Sequence, residues 1–250
     1  MNTFSIEAMV RFGWETFNKN KGVFVGAAAV IGIAQIISQA IGAIPLLGVI
    51  PSTVIGLFVG MGMIRFFLRG HDSASDVTVS ALWNPVGFWR YFGATLLKGF
   101  IIAGPIVAGV AALVISGTMF SADQWTDMSL NFFVALVVLI CLAASWMLYA
   151  SARLALVEYL VLDGGKGPLE AIKTSFQSTQ WAVWKIILLL LVLGLINLAG
   201  ALVLLVGLLV SVPVSMLAMA HLYRTLSGAV VAAPSPAVSM PPPPAEAPTV

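Results

Sequence analysis

The sequence predicts an all-α polytopic membrane protein, a helical bundle whose six transmembrane helices form three hairpins, and two observations support this prediction. Hydrophobic residues make up 60% of the 250 residues and charged residues only 9%, and the mean hydropathy is +1.04. Soluble domains are typically about 45–50% apolar and about 25% charged, so a water-soluble fold could not bury this much apolar surface. The charges are also grouped, and they leave uncharged stretches of about 20 residues, the length of a helix that crosses the hydrocarbon core.

Residues 1–21 predict an amphipathic helix at the membrane interface. Its charges alternate in sign at every fourth residue and form one polar face: Glu7, Arg11, Glu15 and Lys19. Apolar side chains between Ile6 and Phe17 form the other face. We expect no cleavable signal here, because no short apolar segment with a small-residue cleavage site follows the charges. Such a helix lies in the plane of the interface or packs on the ends of other helices.

Residues 22–228 are expected to contain the six spans. The first four are predicted, in order, at residues 22–43, 50–69, 92–118 and 130–152. The fourth is expected to continue as a helix toward Leu162. No charge occurs in residues 186–220, a run that suits two spans with a turn between Gly200 and Gly207. An aromatic, basic stretch precedes each hairpin, which indicates either an internal repeat or the ordinary composition of helix entries at a membrane surface.

The distribution of Lys and Arg predicts the orientation. All 12 lie before the first span, between the second and third or in the adjoining ends of these two spans, between the fourth and fifth, or after the sixth. The alternate loops contain none, and their only charges are Asp123 and Asp127. The positive-inside rule therefore places both termini in the cytoplasm, which requires an even number of spans. Trp125 falls on the opposite side. The tryptophans expected to form a cytoplasmic interfacial belt are Trp14, Trp83, Trp89, Trp181 and Trp184.

Residues 229–250 predict a disordered, proline-rich cytoplasmic tail. Seven of the 13 prolines lie in this segment. Proline fixes φ and removes a backbone donor, so the tail is expected to be disordered or in the polyproline II conformation. The four consecutive prolines at 241–244 offer a motif for a protein partner with an aromatic groove, and a tail that is simply solvated is the alternative.

Five cationic side chains are candidate contacts for anionic lipid headgroups. They lie next to predicted spans, where a concentration of positive charge favours anionic lipids. The same residues are also explained by their role in setting the topology. The candidates are Arg65, Arg69, Arg90, Lys98 and Arg153.

Residues 151–165 bring Arg153, Glu158 and Asp163 together, and we interpret them as a helix that leaves the membrane. The charges are five residues apart, so successive charges point about 140° apart around a helix and do not form one ion-binding face. Arg153 is expected to reach a lipid phosphate, and Glu158 is expected to face protein as the structural partner of a cation.

Three polar residues lie within predicted spans, namely Gln35 and Gln39 in the first and Asn197 in the fifth. We interpret them as structural residues that hydrogen-bond between helices, and the alternative is that they line a polar pathway. No carboxylate or lysine deep in the membrane accompanies them to drive ion coupling.

A resemblance to a known family is carried by three segments, "FGWETFNKNKGVF", "RLALVEYLVLDGGKGPLEAIKTSFQSTQWAVWK" and "GLLVSVPVSMLAMAHLYRTL". They resemble bacterial six-helix integral membrane proteins of unknown function that are similar to the membrane domain of glycerophosphoryl diester phosphodiesterases. The resembling residues, within residues 4–228, are Glu158, Ser175, Gly207, Pro213, Tyr223 and Arg224. The resemblance implies a bacterial cytoplasmic (inner) membrane protein. In the phosphodiesterases the chemistry belongs to a separate soluble barrel, for which we expect no room in these 250 residues.

These observations predict a non-enzymatic membrane scaffold or lipid-associated factor, and the alternative is a small transporter or permease subunit. The single cysteine, Cys141, excludes an internal disulfide, and the two histidines, His71 and His221, are too few for a metal cluster. We expect no cofactor, no metal and no nucleic acid. The expected partners are membrane lipids and a protein bound by the tail. A membrane enzyme ranks third, with Glu158, Asp163 and His221 as its proton-active candidates.

Overall fold

The architecture is built from helices. The computed structural model describes residues 5–45, 47–75, 77–83, 86–118, 130–203 and 206–231. Within these ranges the chain forms nine α-helices, one short 3-10 helix and no strand. In chain order, α1 to α9 are Ile6–Lys19, Lys21–Gly42, Val49–Asp72, Phe88–Thr118, Leu130–Arg153, Val157–Leu162, Pro168–Thr179, Val183–Leu202 and Leu208–Val231. The 3-10 helix, Val79–Trp83, lies between α3 and α4.

The spans are α2, α3, α4, α5 together with α6, α8 and α9, because these helices are long and apolar enough to cross a membrane. The prediction of an all-α bundle with six spans is confirmed, and the protein is a multi-pass membrane protein. The turn between α8 and α9 falls at residues 203–207, within the predicted limits. A Cβ atom at Gly207 would overlap the Gly200 carbonyl oxygen, so the backbone at these two glycines can approach this closely only because neither has a side chain.

The helix that leaves the fourth span is interrupted. We predicted helical continuation toward Leu162, but α5 ends at Arg153 and α6 begins at Val157 after a short turn. The hydroxyl of Ser175 on α7 donates to the Arg153 carbonyl oxygen over 2.7 Å, and the Thr179 hydroxyl, which donates to the Ser175 carbonyl oxygen over 2.8 Å, lies 3.5 Å from the same Arg153 oxygen. The Ser175 hydroxyl occupies the carbonyl that a continuous helix would offer to the Val157 N–H. The interruption lets α6 pack with α7 against α4.

The first helix is amphipathic and packs chiefly against α9. Its buried residues are Met9, Gly13, Thr16 and Phe17. A Cβ atom at Gly13 would lie 2.5 Å from the Val214 carbonyl oxygen, so glycine is needed for this approach. On the exposed face Arg11 Nε lies 2.9 Å from Glu15 Oε1. The helix therefore joins the packed bundle through its apolar face.

The buried core lies at one end of the molecule, which we call the charged end. There the last turns of α3 and α5, the first turns of α4 and most of the length of α9 meet α1, α6 and α7. In α3 the buried side chains lie between Met61 and Gly70, and in α4 only Tyr91 and Ala94 are buried among the described side chains. The described buried residues of α5 are in its last turn. The remaining parts of α3, α4 and α5 expose apolar side chains on several faces, as helices that face lipid do.

Candidate functional site

Arg224 on α9 bridges two carboxylates from different helices. Its Nη2 lies 2.6 Å from Oδ2 of Asp72, at the end of α3, and its Nε lies 3.2 Å from Oδ1. Its Nη1 lies 2.7 Å from Oδ2 of Asp163, the residue that caps α6, and Tyr223 donates to the same oxygen over 2.9 Å. The planar guanidinium has enough donors for both carboxylates, which an ammonium group could not satisfy in this geometry. One side chain thus joins three helices.

Two histidines extend this cluster toward α1. His71 Nδ1 lies 2.9 Å from Asp72 Oδ1, and His71 Nε2 lies 3.0 Å from Nδ1 of His221. Phe12 of α1 stacks on the His221 ring with centroids 4.0 Å apart. The hydrogen bond between the two rings holds a single proton, so protonation of both facing nitrogens would break it. We call these six residues the charged-end network: His71, Asp72, Asp163, His221, Tyr223 and Arg224.

A second ion pair lies beside this network. Lys98 Nζ on α4 donates to Glu158 Oε1 on α6 over 3.0 Å, and the two side chains are 23% and 22% exposed. Residues 99–118, which follow Lys98 in α4, carry no charge and are long enough to cross the hydrocarbon core. The pair therefore lies at the membrane boundary of the charged end. Tyr159, the next residue after Glu158, stacks on Tyr223 with centroids 5.3 Å apart, so tyrosine rings connect the pair to the network.

These contacts bear on two sequence predictions. Glu158 was predicted to partner a cation, and the structure places Lys98 beside it. Lys98 was predicted to contact a lipid headgroup, and its ammonium group is held by Glu158. Contact between Lys98 and a lipid headgroup stays a prediction, and Lys98 already has Glu158 as its counter-ion.

The arginines around α4 occupy separate positions. Arg65 on α3 donates to the Val86 carbonyl oxygen, and Arg90 on α4 donates to the Gly165 carbonyl oxygen over 3.1 Å. Arg69 is exposed one turn beyond Arg65. Arg65 and Arg90 thus brace the segments that connect helices. Their predicted contacts with headgroups stay predictions.

Arg153 lies at the end of α5 beneath α7. Its guanidinium stacks over the Phe176 ring at 4.5 Å from the centroid, and Nη1 lies 3.4 Å from Thr179 Oγ1. Its Nε is buried and has no hydrogen-bond partner among the described residues. The printed contacts of Arg153 thus run to α7, and its predicted contact with a lipid phosphate stays a prediction.

Polar residues within the spans make local contacts between helices. Asn197 Nδ2 on α8 donates to Ser215 Oγ on α9 over 3.1 Å. On α2 the buried hydroxyl of Ser38 donates to a carbonyl of α3 over 2.9 Å. The two predicted polar residues of α2 differ in exposure, since Gln35 is half-buried and Gln39 is exposed. The structure does not bring the predicted residues Gln35 and Gln39 together with Asn197, because the hydrogen bonds of α2 and α8 run to different helices.

The tryptophans of the charged end point outward. Their exposed fractions range from 50% to 84% for Trp14, Trp89, Trp181 and Trp184, whereas Trp83, 67% exposed, lies beside mid-span residues of α2 and α3 such as Ile31 and Phe58. Trp125, the predicted tryptophan of the opposite side, lies outside the described residues. An exposed ring of indoles next to cationic side chains is typical of the headgroup layer of a membrane.

The charged-end network pairs ionisable groups with each other. The three proton-active candidates each bond to a group on another helix, in the pairs Glu158 with Lys98, Asp163 with Arg224, and His221 with His71. Within the described ranges no group of three His, Cys, Asp or Glu side chains is placed to hold a metal ion. The chemistry that this arrangement supports is mutual neutralisation of charge at a membrane boundary.

The charged-end network was not predicted from the sequence. Asp72 and Arg224 are 152 residues apart, so no local pattern connects them. The one available signal was the charge distribution, which places the ends of α3, α6 and α9 on the same side of the membrane.

Comparisons with known proteins found no match among protein-family models, curated proteins or solved structures. The resemblance to bacterial six-helix membrane proteins therefore stays a prediction, and function is argued from the charged end.

Proposed function

We propose that the protein is a non-enzymatic membrane scaffold that associates with anionic lipid at its charged end. The observation that carries the proposal is the Arg224 bridge, in which one guanidinium joins α3, α6 and α9 through Asp72 and Asp163. A scaffold uses its ionisable side chains to hold helices in a fixed arrangement. An enzyme of this size would need an acid or base that is free to meet a substrate.

The surroundings of the charged end support the lipid association. Exposed tryptophans such as Trp14 and Trp181 lie at this end, and exposed cations such as Arg69 and Lys185 lie at the adjoining helix ends. Each such cation near an anionic surface contributes about 1 kcal/mol of attraction. The distribution of Lys and Arg along the chain supports placing this end, and both termini, on the cytoplasmic side of a bacterial cytoplasmic membrane.

Native mass spectrometry of the protein purified in detergent tests this proposal. The protein is incubated with equal amounts of phosphatidylglycerol and phosphatidylcholine. We expect bound phosphatidylglycerol to exceed bound phosphatidylcholine severalfold, because only the former carries net negative charge. Equal retention of the two lipids, or retention of neither, would overturn the lipid association.

A transporter subunit is the second candidate, and the Lys98–Glu158 pair is the observation that favours it. A carboxylate paired with a lysine at a membrane boundary can exchange its partner for a proton or an ion. Proton flux into proteoliposomes, followed with an internal pH-sensitive dye, separates the two candidates. The scaffold predicts no flux above that of empty vesicles, whereas flux that disappears in Glu158→Gln would favour the transporter.

A further inference from the structure

An apolar groove runs between α4 and α5 on the lipid-facing side of the bundle. It has a volume of about 510 Å³ and is lined by Pro105, Ile106, Leu139, Leu142, Trp146 and Tyr149, among others. The α5 residues recur at spacings of three and four, so they form one face of the helix. From Leu139 to Tyr149 this face extends about 15 Å at 1.5 Å per residue. The groove has the volume of a small-molecule site and the length of a substantial part of an acyl chain.

The groove is a built feature of the helix pair. Pro105 has no N–H, so the Ile101 carbonyl oxygen lacks the donor that a helix normally provides four residues later. Trp146 Nε1 on α5 supplies a donor, at 3.3 Å from the Ile101 oxygen and 3.2 Å from the Ile102 oxygen. This contact fixes the indole between the two helices, and the groove forms beside it.

Tyr149 also lines a second, more polar pocket. This pocket has a volume of about 370 Å³ and lies at the α7–α8 junction, where Tyr149 is joined by Gln180, Trp181, Trp184 and Lys185. Lys185 is exposed and has no ion-pair partner among the described residues. Tyrosine and tryptophan are the side chains that sit at the boundary between acyl chains and headgroups. The surface thus changes from apolar to cationic over the length of one lipid molecule.

We propose that the α4–α5 groove and the α7–α8 pocket form one binding site for an anionic glycerophospholipid, an inference that rests on the proposed lipid association. An acyl chain lies along the groove from Tyr149 toward Leu139, and the phosphate lies at Lys185. Charge complementarity favours a lipid over a second protein helix, since an apolar helix in this groove would leave Lys185 without a counter-ion.

Two pairs of variants test the site by native mass spectrometry with phosphatidylglycerol. Lys185→Gln removes the proposed phosphate partner, and Lys173→Gln removes an exposed lysine of α7 outside the pocket. Ala143→Trp fills the groove, and Ala144→Trp adds the same side chain one position away, outside the lining. We expect Lys185→Gln to weaken lipid binding about fivefold, which corresponds to one cation near an anionic headgroup. Ala143→Trp should weaken binding at least as much, and the two controls should bind as the wild type does.

The outcomes separate the site from the proposed function. If the wild type retains phosphatidylglycerol and all four variants retain it equally, the site is refuted while the lipid association stands. If the wild type does not prefer phosphatidylglycerol, the lipid association itself fails. Melting temperatures of the variants are measured in parallel, and if Ala143→Trp fails to fold, the Lys185→Gln and Lys173→Gln pair decides alone.

Discussion

Replacing Arg224 with glutamine removes the guanidinium that Asp72 and Asp163 share. An exposed ion pair contributes about 0–1 kcal/mol, whereas removing one partner of a buried pair costs about 3–5 kcal/mol. The side chains here are partly exposed, at 33% for Arg224, 49% for Asp72 and 31% for Asp163. We therefore expect the free energy of unfolding to fall by about 2 kcal/mol, between these limits.

Thermal unfolding in detergent, followed by tryptophan fluorescence, measures this loss. For a chain of this size 1 kcal/mol shifts the Tm by about 2–4 °C, so Arg224→Gln should lower it by about 4–8 °C. The matched control is Arg11→Gln, which removes the Arg11–Glu15 pair, whose side chains are 71% and 57% exposed. The control should lower the Tm by less than about 2 °C.

A rescue variant tests the cause of the loss. In the triple variant Arg224→Gln, Asp72→Asn, Asp163→Asn, amides replace the carboxylates that would otherwise repel each other without a counter-ion. The triple variant should melt above Arg224→Gln. The reasoning is refuted if Arg224→Gln melts like the wild type, if the Arg11→Gln control shifts equally, or if the triple variant melts below the single one.

Three further predictions follow from the other parts of the chain. Glu158→Gln should lower the Tm by several degrees, because it leaves the Lys98 ammonium half-buried without a counter-ion. Adding Lys98→Met should restore part of this loss, and strictly additive losses would contradict the pairing. In a background without the native cysteine, a cysteine placed in residues 121–127 should react with an impermeant thiol reagent added from the periplasm, and a cysteine placed in residues 164–167 should not react. Labelling of both from one side would overturn the predicted topology. Deleting residues 232–250 should leave the Tm unchanged, because a proline-rich segment buries too little apolar area to offset an ordering cost of about 1–2 kcal/mol per residue. A lower Tm would show that the tail packs on the bundle.

The spans could be predicted because the physical property that defines them is local. About 20 consecutive residues without charge are sufficient to identify a span, whatever its neighbours are. The boundaries moved by a few residues where tertiary contacts decide them. The helix α4, for example, begins at Phe88 and not at residue 92, and its first turns pack on α6 and α7.

The contacts at the charged end could not be predicted, because they depend on how each helix is rotated about its axis. A helix such as α8 is apolar on nearly every side, so its sequence does not specify which face meets protein. The partners of Arg224 lie 152 and 61 residues away along the chain. Charge distribution places all three side chains in one layer but does not select these pairs over others in the same layer.

The break between α5 and α6 depends on a contact from another helix, α7. The segment from Arg153 to Leu162 has no proline or glycine, so its own sequence favours an unbroken helix. The Ser175 hydroxyl approaches from α7 and donates to the Arg153 carbonyl oxygen. Only the three-dimensional arrangement reveals a helix end of this kind.

Charge and burial are concentrated at the same end of the molecule for one physical reason. In hydrocarbon an apolar side chain gains little by contacting protein in place of lipid, so helices associate through close packing, hydrogen bonds and ion pairs. Ion pairs are tolerated best at the membrane boundary, where the Arg224 bridge and the Lys98–Glu158 pair lie. The bundle is therefore tightly packed at the charged end, while the far parts of α4 and α5 face lipid and leave room for the groove between them. It follows that substitutions in the charged-end network should loosen contacts among several helices at once, whereas an added side chain at Ala144, in the lipid-facing part of α5, should change neither stability nor lipid binding.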